Sequence, residues 1–260
     1  MTTVPILCYH AVSDDTGGPL APWAMTPSRF DDHLDALAAA GYVPLALDDL
    51  LSRVHDQGRA VPAGAVVLTV DDGYADVADI IWPRLADRGW PATLFVSTGL
   101  VGASFLDRRM LSRDQLVDLA ADGLALGAHG HRHLALDAVD RAVARDEIHR
   151  SRDLLAGWTG RPVTTFAYPH GHHDRTSRQL VVDAGFRGAC AVKQALSSER
   201  DDRFALARIM PTGVTGATEL VNRLADSRTP IARGGRERLR TTAYRHVRRA
   251  RVRRGQEVAP

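Results

Sequence analysis

Lysine is almost missing from this chain: Lys193 is the only one among 33 basic residues. We read this as coding bias rather than as a separate demand for guanidinium chemistry at every arginine. Cysteine is nearly as scarce. Cys8 and Cys190 both lie in apolar, strand-like runs, which excludes a disulfide framework and reads as two reduced core residues. No apolar run reaches the roughly 18 residues of a transmembrane helix. The opening Met1-Thr2-Thr3-Val4-Pro5 has neither the basic nor the apolar region of a signal peptide. Together these absences predict a cytoplasmic location. No glycine-rich phosphate loop or dinucleotide fingerprint is present, which removes the commonest nucleotide-binding classes. No internal repeat or low-complexity segment occurs before residue 230.

What is there describes an ordinary soluble domain. The chain has 260 residues, 45% hydrophobic and 25% charged, enough for one α/β domain with a substantial core. The net charge of +2 hides an asymmetry. From residue 230 onward ten arginines stand against Glu237 and Glu257, a net of +8, which leaves residues 1–229 at −6. The sequence therefore divides into a mildly acidic body, 1–229, and a basic, Arg-rich tail, 230–260.

Strand-like and helix-like segments alternate through the body. Strands are predicted at 4–9, 42–46, 66–70, 92–97, 124–128, 163–168, 186–192 and 205–210. Between them, Thr26-Pro27 reads as an N-cap and first-turn proline, with Gly41 closing that helix. Further helices are predicted over 47–54, 75–88, 112–121, 137–157 and 175–184. Alternation of this kind implies parallel strands with right-handed crossovers. Seven or eight such units in this length close more readily into a barrel than they spread as an open sheet.

The central run is Val66-Val67-Leu68-Thr69-Val70-Asp71-Asp72-Gly73-Tyr74. Five residues that suit a strand covered on both faces lead into two carboxylates at its C-terminal edge, where α/β folds keep their chemistry. Adjacent residues of a strand point in opposite directions, so the two aspartates diverge unless the chain turns, and Gly73 permits a turn. Three other strand ends are also polar and ionisable: His10, His129-Gly130-His131-Arg132-His133, and Ala167-Tyr168-Pro169-His170-Gly171-His172-His173-Asp174. His129 and His133 are four residues apart, a spacing that can bring two imidazoles to one metal, while His131 points elsewhere. Two histidines and a carboxylate with open positions suit a catalytic divalent ion.

Thr69-Val70-Asp71-Asp72-Gly73 resembles the first motif of the polysaccharide deacetylases (NodB-homology, carbohydrate esterase family 4). His129-Gly130-His131-Arg132-His133 is similar to their second motif, and Phe166-Ala167-Tyr168-Pro169-His170-Gly171 looks like their third. Pro5 to His10 and Leu206 to Ile209 resemble the subgroup of poly-N-acetylglucosamine deacetylases. The resemblance covers about residues 4–212. It implies a distorted (β/α) barrel of about seven parallel strands and removal of an N-acetyl group from a sugar or glycan. It further implies a divalent ion, zinc first, on Asp72, His129 and His133. Asp71 would be the general base, and His170 would supply an oxyanion contact through its backbone N–H. His10, Tyr168, Pro169, Gly171 and Arg208 fall among the implied substrate-binding positions, Arg208 with a surface salt bridge as its alternative role.

Several positions depart from the family pattern. Ala167 stands where many members carry an arginine that orients the base. His170 replaces a tyrosine, and the segments that often hold the general acid and the acetyl-methyl pocket have no counterpart near residues 190–212. The acid is unassigned among His10, His170, His172 and His173. Trp23, in the loop after the first strand, is the best-placed aromatic for stacking on a sugar. Two other functions fit the same residues: hydrolysis of a non-sugar amide or cyclic imide, and a catalytically weak metal-binding protein of a glycan-assembly system. For the tail, peripheral contact with an anionic membrane at its inner face ranks above nucleic acid, because interleaved aromatics are lacking and the body is acidic.

Overall fold

The computed structural model describes residues 3–234 and 248–250; the rest of the expected tail lies outside them. Seven parallel strands form the central sheet: β1 (Ile6–Tyr9), β2 (Val43–Pro44), β3 (Ala65–Val70), β4 (Ala92–Val96), β5 (Ala125–Ala128), β6 (Thr165–Ala167) and β7 (Gly188–Cys190). Their order is β7-β6-β5-β4-β3-β1, with β2 paired to β3, and the sheet curls until its two edges face each other. The register places Leu7 against Leu68 and Leu68 against Ala92.

The predicted strand at 205–210 is instead a seam. Leu206 bridges Cys190 on one edge and Ile209 bridges Leu7 on the other. Leu206 N–H donates to Ala189 at 2.8 Å, and Ile209 N–H donates to Ile6 at 2.9 Å. A segment that switches partners after three residues cannot run a continuous ladder with either, so it closes the barrel without forming a full strand.

Strand alternation divides the core. Val66, Leu68 and Val70 face outward under the helices, packing with Phe30, Leu34 and Leu37 of α1 (Pro27–Ala39). Val67, with Ile6, Phe95, Ala167, Cys190 and Leu206, forms a separate cluster, and Thr69 and Asp71 continue its side of the strand. Both faces are buried, which is why β3 reads as an unbroken apolar run. Gly127 keeps this arrangement open: a Cβ there would lie 2.5 Å from the Phe95 ring and 2.9 Å from Thr165 Oγ1.

Thr26 caps α1, as its sequence predicts, and Ser112 caps helix Arg113–Ala121 with a capping box. The predicted helix over 75–88 is split, with wide turns at Val77–Ile81 before a regular helix at Trp82–Asp87. Pro83 has no N–H to continue the narrower ladder. The helix predicted from 137 starts later, at Arg141 with Asp140 as N-cap, and runs to Thr159. Residues 137–140 are a loop containing the buried Asp137. Helix Ala217–Ala225, which the sequence reading did not include, packs on α1. The body also continues past position 229, because Leu196 exchanges backbone hydrogen bonds with Pro230 and Ala232 at 2.8 Å each.

Two glycines separate packing from propensity. Gly127→Ala is expected to destabilise the fold by about 1–3 kcal/mol through overpacking against Phe95. Gly157→Ala, exposed in the last turn of helix Arg141–Thr159 with nothing within 4 Å of its added carbon, is expected to stabilise it by up to about 0.5 kcal/mol. Urea denaturation of the two variants measures both signs.

Candidate functional site

The polar strand ends meet at one rim of the barrel. Asp71 points inward by alternation. Asp72 adopts φ +75° and Gly73 φ +96°, and this left-handed turn brings the second aspartate to the same rim. The two carboxylates are buried, at 2% and 4% exposure, and their surroundings give them different roles.

Asp71 is held from inside the barrel. Arg208 Nη1 and Nη2 each lie 2.6 Å from one of its carboxylate oxygens, and the Cys8 thiol donates to Oδ2 at 3.4 Å. Arg208 is itself fixed by Nε to the Ala191 carbonyl at 3.1 Å and Nη1 to Thr69 Oγ1 at 3.1 Å. Burial opposes ionisation of Asp71, but the guanidinium, with His129, outweighs it and holds the carboxyl below its usual range. Arg208 has no exposed surface. This corrects its assignment to substrate binding or a surface salt bridge: it orients Asp71. The role that Ala167 leaves vacant is thus filled from the barrel seam.

Asp72 faces the histidines. Its Oδ1 lies 3.3 Å from His129 Nε2 and 3.2 Å from His133 Nε2, yet this buried oxygen accepts no properly directed hydrogen bond among the described residues. His129 Nδ1 lies 2.8 Å from the Ala167 carbonyl. A carbonyl can only accept, so that nitrogen carries a proton and Nε2 is the one that faces Asp72. Burial opposes a charge on His129, but Asp71 and Asp72 outweigh it and raise the imidazole above its ordinary value. The donor atoms of Asp72, His129 and His133 lie within 4.8 Å of one another. An orphaned carboxylate oxygen, a fixed tautomer and a local demand for positive charge fit a divalent cation. Cys8, His10 and Asp71 form a second group of the same compactness. Burial keeps the Cys8 thiol protonated, and Arg208 already occupies Asp71, so these residues do not fit an ion.

The His129–His133 loop is anchored from behind by Glu147, a fully buried residue of helix Arg141–Thr159. One of its oxygens accepts the His131 N–H at 2.9 Å and the Arg132 N–H at 2.6 Å, while the other pairs with Arg132 Nε at 2.7 Å. The sequence reading missed Glu147 because an acidic residue in an amphipathic helix reads as surface; only the apolar spacing of its neighbours marks its face. His131 turns away, its Nδ1 2.9 Å from Thr98 Oγ1. His133 takes φ +59°, a strained conformation for a non-glycine residue, as does His170.

His170 joins the site, its ring 4.5 Å from that of His133. Burial, then His133, pushes its imidazole down to about 3. His10 also belongs to the rim, with its ring 6.3 Å from Trp23 and its value lowered by burial. Phe105, from the small hairpin Ser104–Arg109, lies 5.4 Å from His133. Tyr168 is a correction: it is fully buried, with its hydroxyl donating to the Phe204 carbonyl at 2.9 Å, and acts in packing rather than substrate contact. Pro169 and Gly171 are also buried. Pro169 lies under Gly130, and Gly171 passes so close to Val192 that a Cβ would lie 2.6 Å from that side chain. Both shape the loop beneath the site.

Comparison with known proteins gives one consistent relationship. The family model described as polysaccharide deacetylase matches residues 58–189, about half of the chain. The Bacillus subtilis (strain 168) protein YxkH is 25% identical over 215 residues, covering 82% of this chain and 74% of that protein. The poly-beta-1,6-N-acetyl-D-glucosamine N-deacetylase of Escherichia coli (strain K12) is 29% identical over 112 residues, 43% of this chain but only 16% of that longer protein. Among solved structures, the Streptococcus pyogenes deacetylase PplD superposes with a TM-score of 0.75 at 22% identity, over 85% of this chain and 97% of that one. IcaB from Ammonifex degensii gives 0.73 at 22%, over 84% and 95%. At these identities the structures establish the fold.

The buried pair has a direct test. Arg208→Met is expected to cost about 3–5 kcal/mol of stability, because it strands a buried carboxylate. Adding Asp71→Asn should recover part of that loss. Chemical denaturation checks it: a double variant no more stable than Arg208→Met alone would contradict the pairing.

Proposed function

Since the chain belongs to the polysaccharide deacetylase family, we propose that this rim is the active site of a metal-dependent hydrolase that removes the N-acetyl group from an N-acetylated sugar or glycan. The observation that carries the reading is the division between the two aspartates. Asp71 is clamped by Arg208 as a free carboxylate, while Asp72 is orphaned beside two imidazoles. In this reading Asp72, His129 and His133 hold the ion, with zinc first because nitrogen and oxygen donors in a compact set of three suit it. Such an ion supplies Lewis acidity toward an amide carbonyl and lowers the pKa of water.

Asp71 accepts the proton of the attacking water, which a carboxylate engaged by a metal does poorly. Arg208 keeps it ionised and aimed. In this reading the His170 backbone N–H would stabilise the charge that develops on the acetamide carbonyl oxygen. Trp23 packs beside His10 and Phe105 beside His133, and in this reading Trp23 offers a face on which a pyranose can stack. By its name the Escherichia coli relative acts on poly-β-1,6-N-acetylglucosamine, and a β-linked N-acetylglucosamine oligomer is the first substrate to offer this site. We further propose that the protein works in the cytoplasm. The eight tail arginines other than Arg248 and Arg249 would favour an anionic lipid surface at the inner face of the membrane, and with it a lipid-linked substrate.

Acetate release from N-acetylglucosamine oligomers and a lipid-linked precursor, with metal stripped and then restored, tests this reading. Release is expected to need the ion and to fall at least about 100-fold in Asp71→Asn and His129→Ala. Metal-loaded protein that releases acetate from no acetylated sugar would oppose it.

A further inference from the structure

Two arginines near the C-terminus reach back to the loops that carry the site. Arg248, 8% exposed, is in close ionic contact with Asp137, 1% exposed, across 111 positions of chain. Its Nε also lies 3.4 Å from Asp137 Oδ1. Arg249 donates Nε to the Asp137 carbonyl at 2.9 Å and Nη2 to Asp174 Oδ2 at 3.2 Å. Asp137 lies four residues beyond His133. Asp174 directly follows His170–His173 and caps helix Arg175–Asp183, its Oδ1 accepting the Ser177 N–H at 2.8 Å. One carboxylate thus serves both the cap and the arginine. The helical residues Arg248 and Arg249 bridge the two histidine loops.

Those loops need such support. His133 and His170 both hold positive φ, at +59°, and their rings meet at 4.5 Å. Strained residues keep their conformation only where the surroundings over-determine it. Glu147 fixes the start of the His129–His133 loop at His131 and Arg132. On the far side of His133 the chain runs into the loop that holds Asp137, where Arg248 and Arg249 are its partners.

We propose that Arg248 and Arg249 are positioning residues of the active site: they staple the His129–Asp137 loop to the His170–Asp174 loop and keep the ligand set preorganised. The staple rests on the metal assignment made above but not on the identity of the substrate. A preformed set of ligands binds its ion more tightly and holds substrate atoms in register. The C-terminal segment therefore contributes to chemistry performed more than 100 residues earlier in the chain.

The full chain carrying Arg248→Ala and Arg249→Ala, and a second chain carrying Arg248→Lys and Arg249→Lys, provide the test. Zinc affinity by chelator competition is expected to weaken about tenfold in the double alanine variant, the lower range for supports behind metal ligands. Amide hydrogen exchange should rise in 129–137 and 168–174 while β3 and β4 keep their protection, and kcat should fall more than KM rises. The lysine pair should restore little, because an ammonium cannot make the forked contacts of Arg249 to Asp137 and Asp174 together. Unchanged zinc affinity and unchanged exchange in both loops, with only a lower unfolding midpoint, would overturn the proposal. If the wild-type chain binds no zinc, the metal assignment fails and hydrogen exchange still decides the staple.

Discussion

A guanidinium buried inside a barrel must be matched at once by charge and by acceptors, and the contact between Arg208 and Asp71 meets both demands. Neither residue can be desolvated alone at tolerable cost. Their two short contacts, with Thr69 Oγ1 and the Ala191 carbonyl completing the arginine's shell, make the pair tenable. Arg208 sits on the seam that joins the first and last strands. Closing the sheet and setting the charge of Asp71 are therefore one event. The apolar layer below, from Ile6, Val67, Phe95, Ala167, Cys190 and Leu206, gives the pair a dry floor.

From that pair outward, the site separates two chemically similar residues by backbone geometry. Strand alternation alone would send Asp72 to the helix side, and the left-handed turn at Asp72-Gly73 returns it to the rim. His133 and His170 adopt the same region of backbone space and converge on it. The loops of the two strained histidines are held by contacts behind them: Glu147 on one and the arginine pair on both. Strain of this kind is expected where geometry serves function.

Much of this was legible in the residues. The alternation of strands and helices, the caps at Thr26 and Ser112, and the carboxylate pair and spaced histidines at strand ends all express local physics, and the barrel and rim follow from them. The rest depends on contacts far apart in sequence. Arg208 reads as one arginine among many because its partner is 137 positions away. Glu147 and Asp137 carry charges that a helical pattern assigns to solvent, and only the loop turning past Gly130 and the returning C-terminal turn bury them. Tyr168 reads as a substrate contact because its neighbours do, but strand alternation turns it into the core.

The location of Arg208 also bears on synthesis at the ribosome. The carboxylates and the histidine loops emerge early, yet the residue that settles the protonation of Asp71 is made some 137 positions after it. A nascent chain holding everything up to β7 contains Asp72, His129 and His133 but lacks the guanidinium that pairs with Asp71. That pairing has to wait until the seam has cleared the exit tunnel and bridged the two sheet edges.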